Sequence, residues 1–512
     1  MKKIEANWVD NFVGVFSPKR RLNRLRYKQA ANIIQRKYEG AASGRRTDGW
    51  FTTSNDANAE ISPSLSRLRN RSRDLVRNNP YASKGMQVIQ SNVIGKGIRG
   101  EIKHPTKGKE RKLREVWNAW TMTPACDYAG RDNFFGLQTL AMRSIAESGE
   151  VLIRLRRVEE LIAISPISGQ PIQVPPIQLQ ILESDFLNVE KGTRFDSKNG
   201  NRIIQGVELD PLGRRTGYHL YEEHPGGLDP SPTASFRTHF VGAETVAHIF
   251  REDRPGQLRG VPWLTPVMIR LRDFDEFEDA TLMRQKIANL FTAFVHDTEG
   301  LEESETTDCE LVDKMEPGTI EVLPPGKSVT LANPPGAGEF YSDYVSTVLH
   351  AIATGLGISY ESLTGDLSQV NFSSARMGFL EMNRNIDSWR NTMLIPQMLD
   401  RTFDWFSQGV GLIGLDSRGS NIVWTPPRRE MVDPTKEVPA AIKAVRGGIM
   451  TLSEVVRQAG NDPDKHFEEY KADNDRLDQL QLTLDSDPRK TQLSGAVQKE
   501  DVPAADPDQT EE

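Results

Sequence analysis

The chain has 512 residues, of which 37% are apolar and 26% charged, with a net charge of -7 and a mean hydropathy of -0.52. That length leaves room for two to four units at about 150 residues per domain. No apolar run approaches the roughly 20 residues that cross a bilayer, and Glu5 and Asp10 interrupt what would be the apolar heart of a signal peptide. Neither a membrane-embedded nor a signal-secreted protein is expected. Cys126 and Cys309 alone build no disulfide framework or cysteine zinc site, which fits a reducing cytosol.

Charge is unevenly placed. Residues 17–46 carry ten Lys/Arg and one acid, so 1–59 is expected to be a basic, partly disordered arm. Residues 462–512 carry fifteen Asp/Glu and six Lys/Arg, and 483–512 offers too little apolar surface to offset ordering, so an acidic disordered tail is expected.

Arg67, Arg69, Arg71, Arg73 and Arg77, opposed only by Asp74, predict a basic helix that stops at Asn78-Asn79-Pro80. Pro80 then opens a second helix that buries Tyr81, Met86, Ile89 and Val93 and leaves Lys84, Gln87 and Ser91 wet. The glycines at 95, 97 and 100 match a dinucleotide fingerprint formally, but a helix precedes them where that motif needs a strand, so they predict a turn between helix and strand. Helices are predicted from Lys109 to Trp120 and from Phe134 to Glu147. From Glu150 short β-rich runs follow one another to about Glu252, predicting a mixed or antiparallel sheet.

Pro266 opens the longest helical pattern, predicted to run to about Val295 and about 45 Å long. A β pair is predicted within 317–335, then an apolar helix from Phe340 to Gly355. A loop is predicted from Tyr360 to Ser373, its serines capping a helix from near Ala375. That helix passes Trp389, is disturbed at Pro396 and resumes through Phe403, Trp405 and Phe406. Short helices joined by Gly447-Gly448 and by Gly460 to Pro463 are predicted from Lys436 to about Leu482.

Catalytic patterns fail one by one. Gly326-Lys327-Ser328 ends like a phosphate-binding loop, but Glu321 stands where glycine is needed and Pro324 and Pro325 remove backbone donors. His219, His224, His239 and His248 lie near Glu222, Glu223 and Glu244 without metal-ligand spacing, so satisfied sheet histidines are expected. Asp273, Asp275, Glu276, Glu278 and Asp279 spread around a helix and do not converge. No catalytic residue, metal site or cofactor is expected.

Several blocks in order resemble the portal, or head-to-tail connector, proteins of tailed bacteriophages, in particular the lambda-type family. They lie at 71–98 (RSRDLVRNNPYASKGMQVIQSNVIGKGI), 144–155, 182–187, 203–226, 246–268 (VAHIFREDRPGQLRGVPWLTPVM), 317–329 and 352–381 (IATGLGISYESLTGDLSQVNFSSARMGFLE). The resemblance implies an α+β portal fold with wing, long-helix stem, clip and helical crown. It implies a homo-oligomeric ring, usually of twelve subunits, at one capsid vertex of a virion assembled in the host bacterial cytoplasm. Double-stranded DNA would pass through its channel in packaging and ejection. Terminase, then head-completion and tail proteins, would dock on it, and scaffold and major capsid protein would touch it during assembly.

On that pattern the wing is placed at 60–264, stem and clip at 265–316, wing with tunnel loop and long helix at 317–435, and crown at 436–482. Arg284 and Lys286 are expected to make weak DNA contacts in the channel, and Asp275, Glu278 and Asp279 to repel DNA there. Asp366, Gln369 and Asn371 are the tunnel-loop candidates, and Phe277, Met283 and Ile287 the inter-subunit packing candidates. The alternative reading is a soluble nucleic-acid-binding or processing enzyme using the basic segments at 17–46 and 67–77; a third is a capsid or scaffold-type protein without a channel.

Overall fold

The computed structural model describes residues 18–19, 48–49, 52–190, 200–228, 237–289, 292–297, 327–332, 341–368, 372–429, 433–482 and 484. Most of the basic arm, the stretch 298–326 with Glu321, Pro324 and Pro325, tunnel-loop candidates Gln369 and Asn371, and nearly all of the acidic tail lie outside them. The chain divides into two compact units, residues 1–56 and 57–512.

The second unit begins with α1 (Ala57–Ile61), α2 (Leu65–Asn78) and α3 (Pro80–Val93). Asn79 divides the last two: its N–H closes α2 on Leu75 O, and its side chain accepts the Ala82 N–H at 2.8 Å to cap α3, with Pro80 at the first helical position. The buried face of α3 is the one its apolar spacing predicts. After the 95–100 turn come β1 (Arg99–Lys103), α4 (Lys107–Met122) and α5 (Phe134–Ser148). Gly149 ends α5 at φ 93°, and a Cβ there would lie 2.5 Å from the Val261 carbonyl carbon, so this closure needs glycine.

The β-rich part contains β2 (Glu150–Arg157), β3 (Ile162–Ile164), β4 (Pro171–Gln173), β5 (Ile177–Glu183), β6 (Arg202–Ile204), β7 (Val207–Leu209), β8 (Arg215–Tyr221), β9 (Thr238–Gly242) and β10 (Val246–Phe250). It forms separate antiparallel sheets: β10-β2-β5, the meander β6-β7-β8-β9, and the small β3-β4 hairpin. Strand pleat divides two cores at the three-stranded sheet. On β2, Val151 and Ile153 join the large helical core while Leu152 joins a smaller one with Leu182, Leu209 and Leu220.

The long helix α6 spans Met268–Asn289, 22 residues and about 33 Å. It stops short of Val295, because Thr292–Asp297 is strand β11, paired with β12 (Lys327–Ala332). The expected partner of the KSVTLA strand, in 317–323, lies outside the described residues, and the observed partner is β11. Next come α7 (Tyr341–Leu356), α8 (Tyr360–Thr364) and α9 (Phe372–Trp389). The segment expected as a loop therefore contains a helical turn, capped by Ser359 Oγ on Ser362 N and closed by Gly365 at φ 75°, and α9 starts earlier than Ala375.

Pro396 lacks the N–H an α-helix needs, and Arg390–Leu399 winds as a π-helix before α10 (Asp400–Val410). The core closes around Trp117, whose ring meets Phe406 edge-on at 4.8 Å and Phe403, Phe134 and Trp424 near 6 Å. Strand β13 (Asn421–Thr425) pairs back with β1, and α11 (Pro434–Arg446), α12 (Leu452–Gln458) and α13 (Pro463–Gln479) follow with the expected glycine joints. These last helices bury little: Val456 and Pro463 are their only buried residues among those described.

Candidate functional site

The most distinctive feature is how α6 is fixed over its first turns and largely exposed from Asp279 to Lys286. At its start Val267, Leu271 and Phe274 are buried in the large core, and Phe274 meets Tyr81 of α3 at 5.6 Å. Asp275 Oδ1 accepts from Asn79 Nδ2 at 2.6 Å, tying the helix to the α2–α3 joint. One turn on, Phe277 packs on Tyr344 and Tyr341 of α7, at 4.5 and 5.9 Å.

Beyond that point the covering ends. Asp279, Ala280, Leu282, Met283, Arg284, Gln285 and Lys286 are exposed, Met283 at 58% and Leu282 at 54%. The side chain of Ile287 lies outside the described residues. Arg284 and Lys286 thus sit on the bare half, whereas Asp275 serves a contact within the chain and Phe277 is covered by its own α7. Glu278 is half-buried; burial, then Asp275 and Asp279, push its carboxyl up.

Asp366 stands on an exposed turn and accepts from Ser368 N at 2.9 Å, a bond that holds its carboxyl below the usual range. The α9 face that follows exposes Met377, Phe379 and Leu380.

Elsewhere in the fold lies a buried ion network that sequence reasoning missed. Glu150, fully buried, accepts from Arg69 Nη2 at 3.0 Å, from Arg259 Nε at 2.9 Å and Nη2 at 2.5 Å, from His248 Nε2 at 2.9 Å and from Gly260 N at 2.8 Å. Burial alone would push its carboxyl up, but Arg259 and His248 hold it far below the usual carboxylate range. Burial pushes the His248 imidazole down to about 4 against the pull of Glu150, so the ring is neutral and donates through Nε2. Arg69 also reaches Asp185, and Arg73 bonds Ser148, Glu183 and Asp185.

Two arginines of the supposed basic face are therefore turned inward or engaged, while Arg67, Arg71 and Arg77 remain exposed. The signal was present: Arg69 falls in helical phase with Leu65, Ser72 and Val76, all buried. The network joins α2, β2, β10 and the 259–260 loop, which stiffens the base on which α6 begins.

Three of the four histidines singled out by the sequence pair with carboxylates, whereas the buried His239 Nδ1 has no hydrogen-bond partner among the described residues. His219 Nε2 lies 3.0 Å from Glu208 Oε2. His224 approaches Glu183 and Asp185, but Arg73 Nη2 already lies 2.8 and 2.6 Å from those two carboxylates, so the group reads as an ion-pair cluster. Lys327 opens a strand, where a phosphate-binding lysine would open a helix. No helix among the described residues is long and apolar enough to cross a membrane.

The sequence model described as "Phage portal protein, lambda family" matches residues 43–390, more than half of the chain. A probable portal protein of Halomonas phage phiHAP-1 is 26% identical over 470 residues, covering 87% of this chain and 88% of that protein. Portal protein B of Escherichia phage lambda is 21% identical over 477 residues, covering 84% and 87%. Among solved structures, the neck of a native GTA particle aligns at TM-score 0.44 and 14% identity, over 79% of this chain and 94% of that one. With the family's sequence pattern running through both the ion network and α6, this chain belongs to the lambda family of phage portal proteins.

Proposed function

We propose that copies of this chain close into a ring, usually of twelve, at one vertex of the capsid, and that double-stranded DNA passes along the ring axis in packaging and ejection. The observation that carries this reading is the half-docked α6. A helix whose second half exposes Leu282 and Met283 leaves apolar surface that a neighbouring copy would bury. In a cyclic ring each interface joins two different patches, so a surface without a partner on its own subunit is what such assembly requires.

The bare half of α6 then belongs to the stem, residues 436–482 to the crown, and the two cores on either side of the three-stranded sheet to the wing. Arg284 and Lys286 touch passing phosphates weakly, and Glu278 and Asp279 keep the lining from gripping DNA. Each neutralised phosphate adds salt-dependent affinity, multiplied by every copy in the ring, so a net charge of -7 suits a conduit better than a clamp. Terminase docks during packaging and head-completion and tail proteins replace it; scaffold and major capsid protein are contacted during assembly. The ring itself hydrolyses nothing.

Against the nucleic-acid-enzyme reading stands the engagement of Arg69 and Arg73 in carboxylate pairs, which removes part of the basic surface that reading uses. The test is imaging and mass measurement of the purified chain. Twelve copies of 57.5 kDa give closed rings of about 690 kDa with a central hole. Met283→Asp should leave the subunit folded and abolish rings. Monomers or dimers under all conditions, scaffold present included, would overturn the proposal.

A further inference from the structure

A second concave surface lies away from α6, where the end of α3, the face of α9, the segment after β13 and the first turn of α11 converge. It encloses about 930 Å3. Among the described residues five cations line it, Lys96, Arg376, Arg390, Arg428 and Arg429, against one carboxylate, Glu437.

Two of the five are occupied. Arg390, 4% exposed, donates Nε to Val93 O at 2.7 Å and Nη2 to Asn92 O at 2.8 Å, closing the carbonyl end of α3, and Arg429 pairs with Asp387. Burial, with Arg429 adding to it, lowers the Arg390 guanidinium to about 10. Lys96, Arg376 and Arg428 are exposed and have no carboxylate partner among the described residues. Beside them Phe379 and Leu380 are 41% and 47% exposed.

Unbalanced cations next to an apolar floor select an acidic polypeptide segment. A nucleic-acid backbone would use the cations but leave Phe379 and Leu380 uncovered. The chain itself carries a segment of that chemistry: residues 500–512, EDVPAADPDQTEE, hold six Asp/Glu and no Lys/Arg around Val502-Pro503-Ala504-Ala505.

Its reach is sufficient. Gly460 lies against Arg428, its Cβ position 2.8 Å from Arg428 N. From there α13 runs 17 residues, about 25 Å. The sixteen residue steps from Leu484 to Glu500 span up to about 53 Å when extended, enough to return to the groove.

We propose that the acidic segment 500–512 of this chain docks in this groove, its carboxylates on Lys96, Arg376 and Arg428 and its Val502–Ala505 stretch against Phe379 and Leu380. This docking stands apart from ring formation and is read independently of it.

The experiment is carbodiimide cross-linking of the full-length protein, which joins a lysine amine to a carboxylate only when the two are in contact, followed by peptide mass spectrometry. The expected product links Lys96 to a carboxylate within 500–512. Lys96→Arg, which keeps the charge but cannot cross-link, should remove it. Arg376→Glu with Arg428→Glu, both exposed in the fold, should lower its yield at least ten-fold, and raising salt from 0.1 to 1 M should lower it strongly as the screening length falls from about 10 to 3 Å. Circular dichroism matching the parent establishes that these variants are folded. The proposal is overturned if 500–512 cross-links to other lysines while Lys96 stays unmodified, or if the Lys96 product is indifferent to the double variant. It is equally overturned if the double variant abolishes binding of a labelled DNA duplex and no Lys96 product forms, since the groove would then be a polynucleotide site.

Discussion

Replacing Glu150 by glutamine keeps the shape of the side chain and removes its charge, which makes it the sharpest probe of the ion network. In the parent, one carboxylate serves two guanidinium groups that are 2% and 0% exposed, a fully buried imidazole and a backbone N–H. In the variant Arg69 retains only Asp185 at 3.3 Å, and Arg259 loses its only carboxylate partner among the described residues. The new amide group also brings two donors into a space already filled with donors. Breaking a buried pair by removing one partner costs about 3–5 kcal/mol, and that range is expected here.

The assay is urea unfolding of the full chain followed by hydrogen exchange at β2 and β10, because a chain of this size does not unfold as one unit. Arg73→Gln is the internal comparison. Its partners Glu183 and Asp185 are 55% and 21% exposed, so after solvent screening its loss should cost no more than about 1 kcal/mol. If both variants shift β2 and β10 equally, by under about 1 kcal/mol, the network does not hold the sheet to α2 and the reasoning fails.

His248 gives the pH dependence of the same region. Its imidazole is lowered to about 4 in the fold, so between about 4 and 6.5 the unfolded chain binds the extra proton, and stability should rise with pH through that window by on the order of 3 kcal/mol and level off above it. Glu150 acts in the same sense but lower: its contribution is complete above about 4.3 and is lost only as pH falls through its depressed value. A pH-titrated unfolding series in which His248→Asn keeps the whole slope would remove His248 as its source. Phe277→Ala should loosen α6 from α7 within a single subunit by about 2 kcal/mol, below the cost of a fully buried phenylalanine because the ring is half-covered; Met283→Asp should leave subunit stability within about 0.5 kcal/mol and affect assembly alone. Titration calorimetry with ATP and magnesium should give no heat, and a micromolar site lost in Lys327→Ala would contradict the reading of Lys327 as the first residue of a strand.

Helices with one strong period were legible in the sequence. Along α3 the apolar residues and Lys84, Gln87 and Ser91 fall where the 3.6 period puts them, and Asn79-Pro80 marks the joint to the residue. The far end of α6 was not legible, because Leu290, Phe291 and Phe294 satisfy a helical stripe over a short window equally well. The β-branched and aromatic run Thr292 to Val295 instead finds a strand to pair with in Val329 to Ala332, a contact distant in sequence. The same ambiguity hid α8, a single turn defined by a serine cap and a left-handed glycine and without any periodic face. The ion network is hidden when arginines are counted by density, although the phase of Arg69 with Leu65 and Val76 already places it inside.

An assembly surface is harder to read than a core for a physical reason. In sequence, the stripe from Val267 through Leu271, Phe274 and Phe277 to Met283 is one continuous pattern, and periodicity treats all of it as buried. The fold divides it at Phe277: residues before that point have α3 and α7 against them, and Leu282 and Met283 are more than half exposed among the described residues. The division depends on where α7 begins, which is set by packing far along the chain and leaves no mark on α6 itself. What the structure shows is the mismatch, a 22-residue helix beside a 16-residue partner whose aromatic contacts with it, Tyr341 and Tyr344, both fall in its first turn. An apolar stripe that outlasts the described elements covering it is what the proposed ring would use as contact surface, and on that proposal Leu282 and Met283 come ahead of the aromatic Phe277.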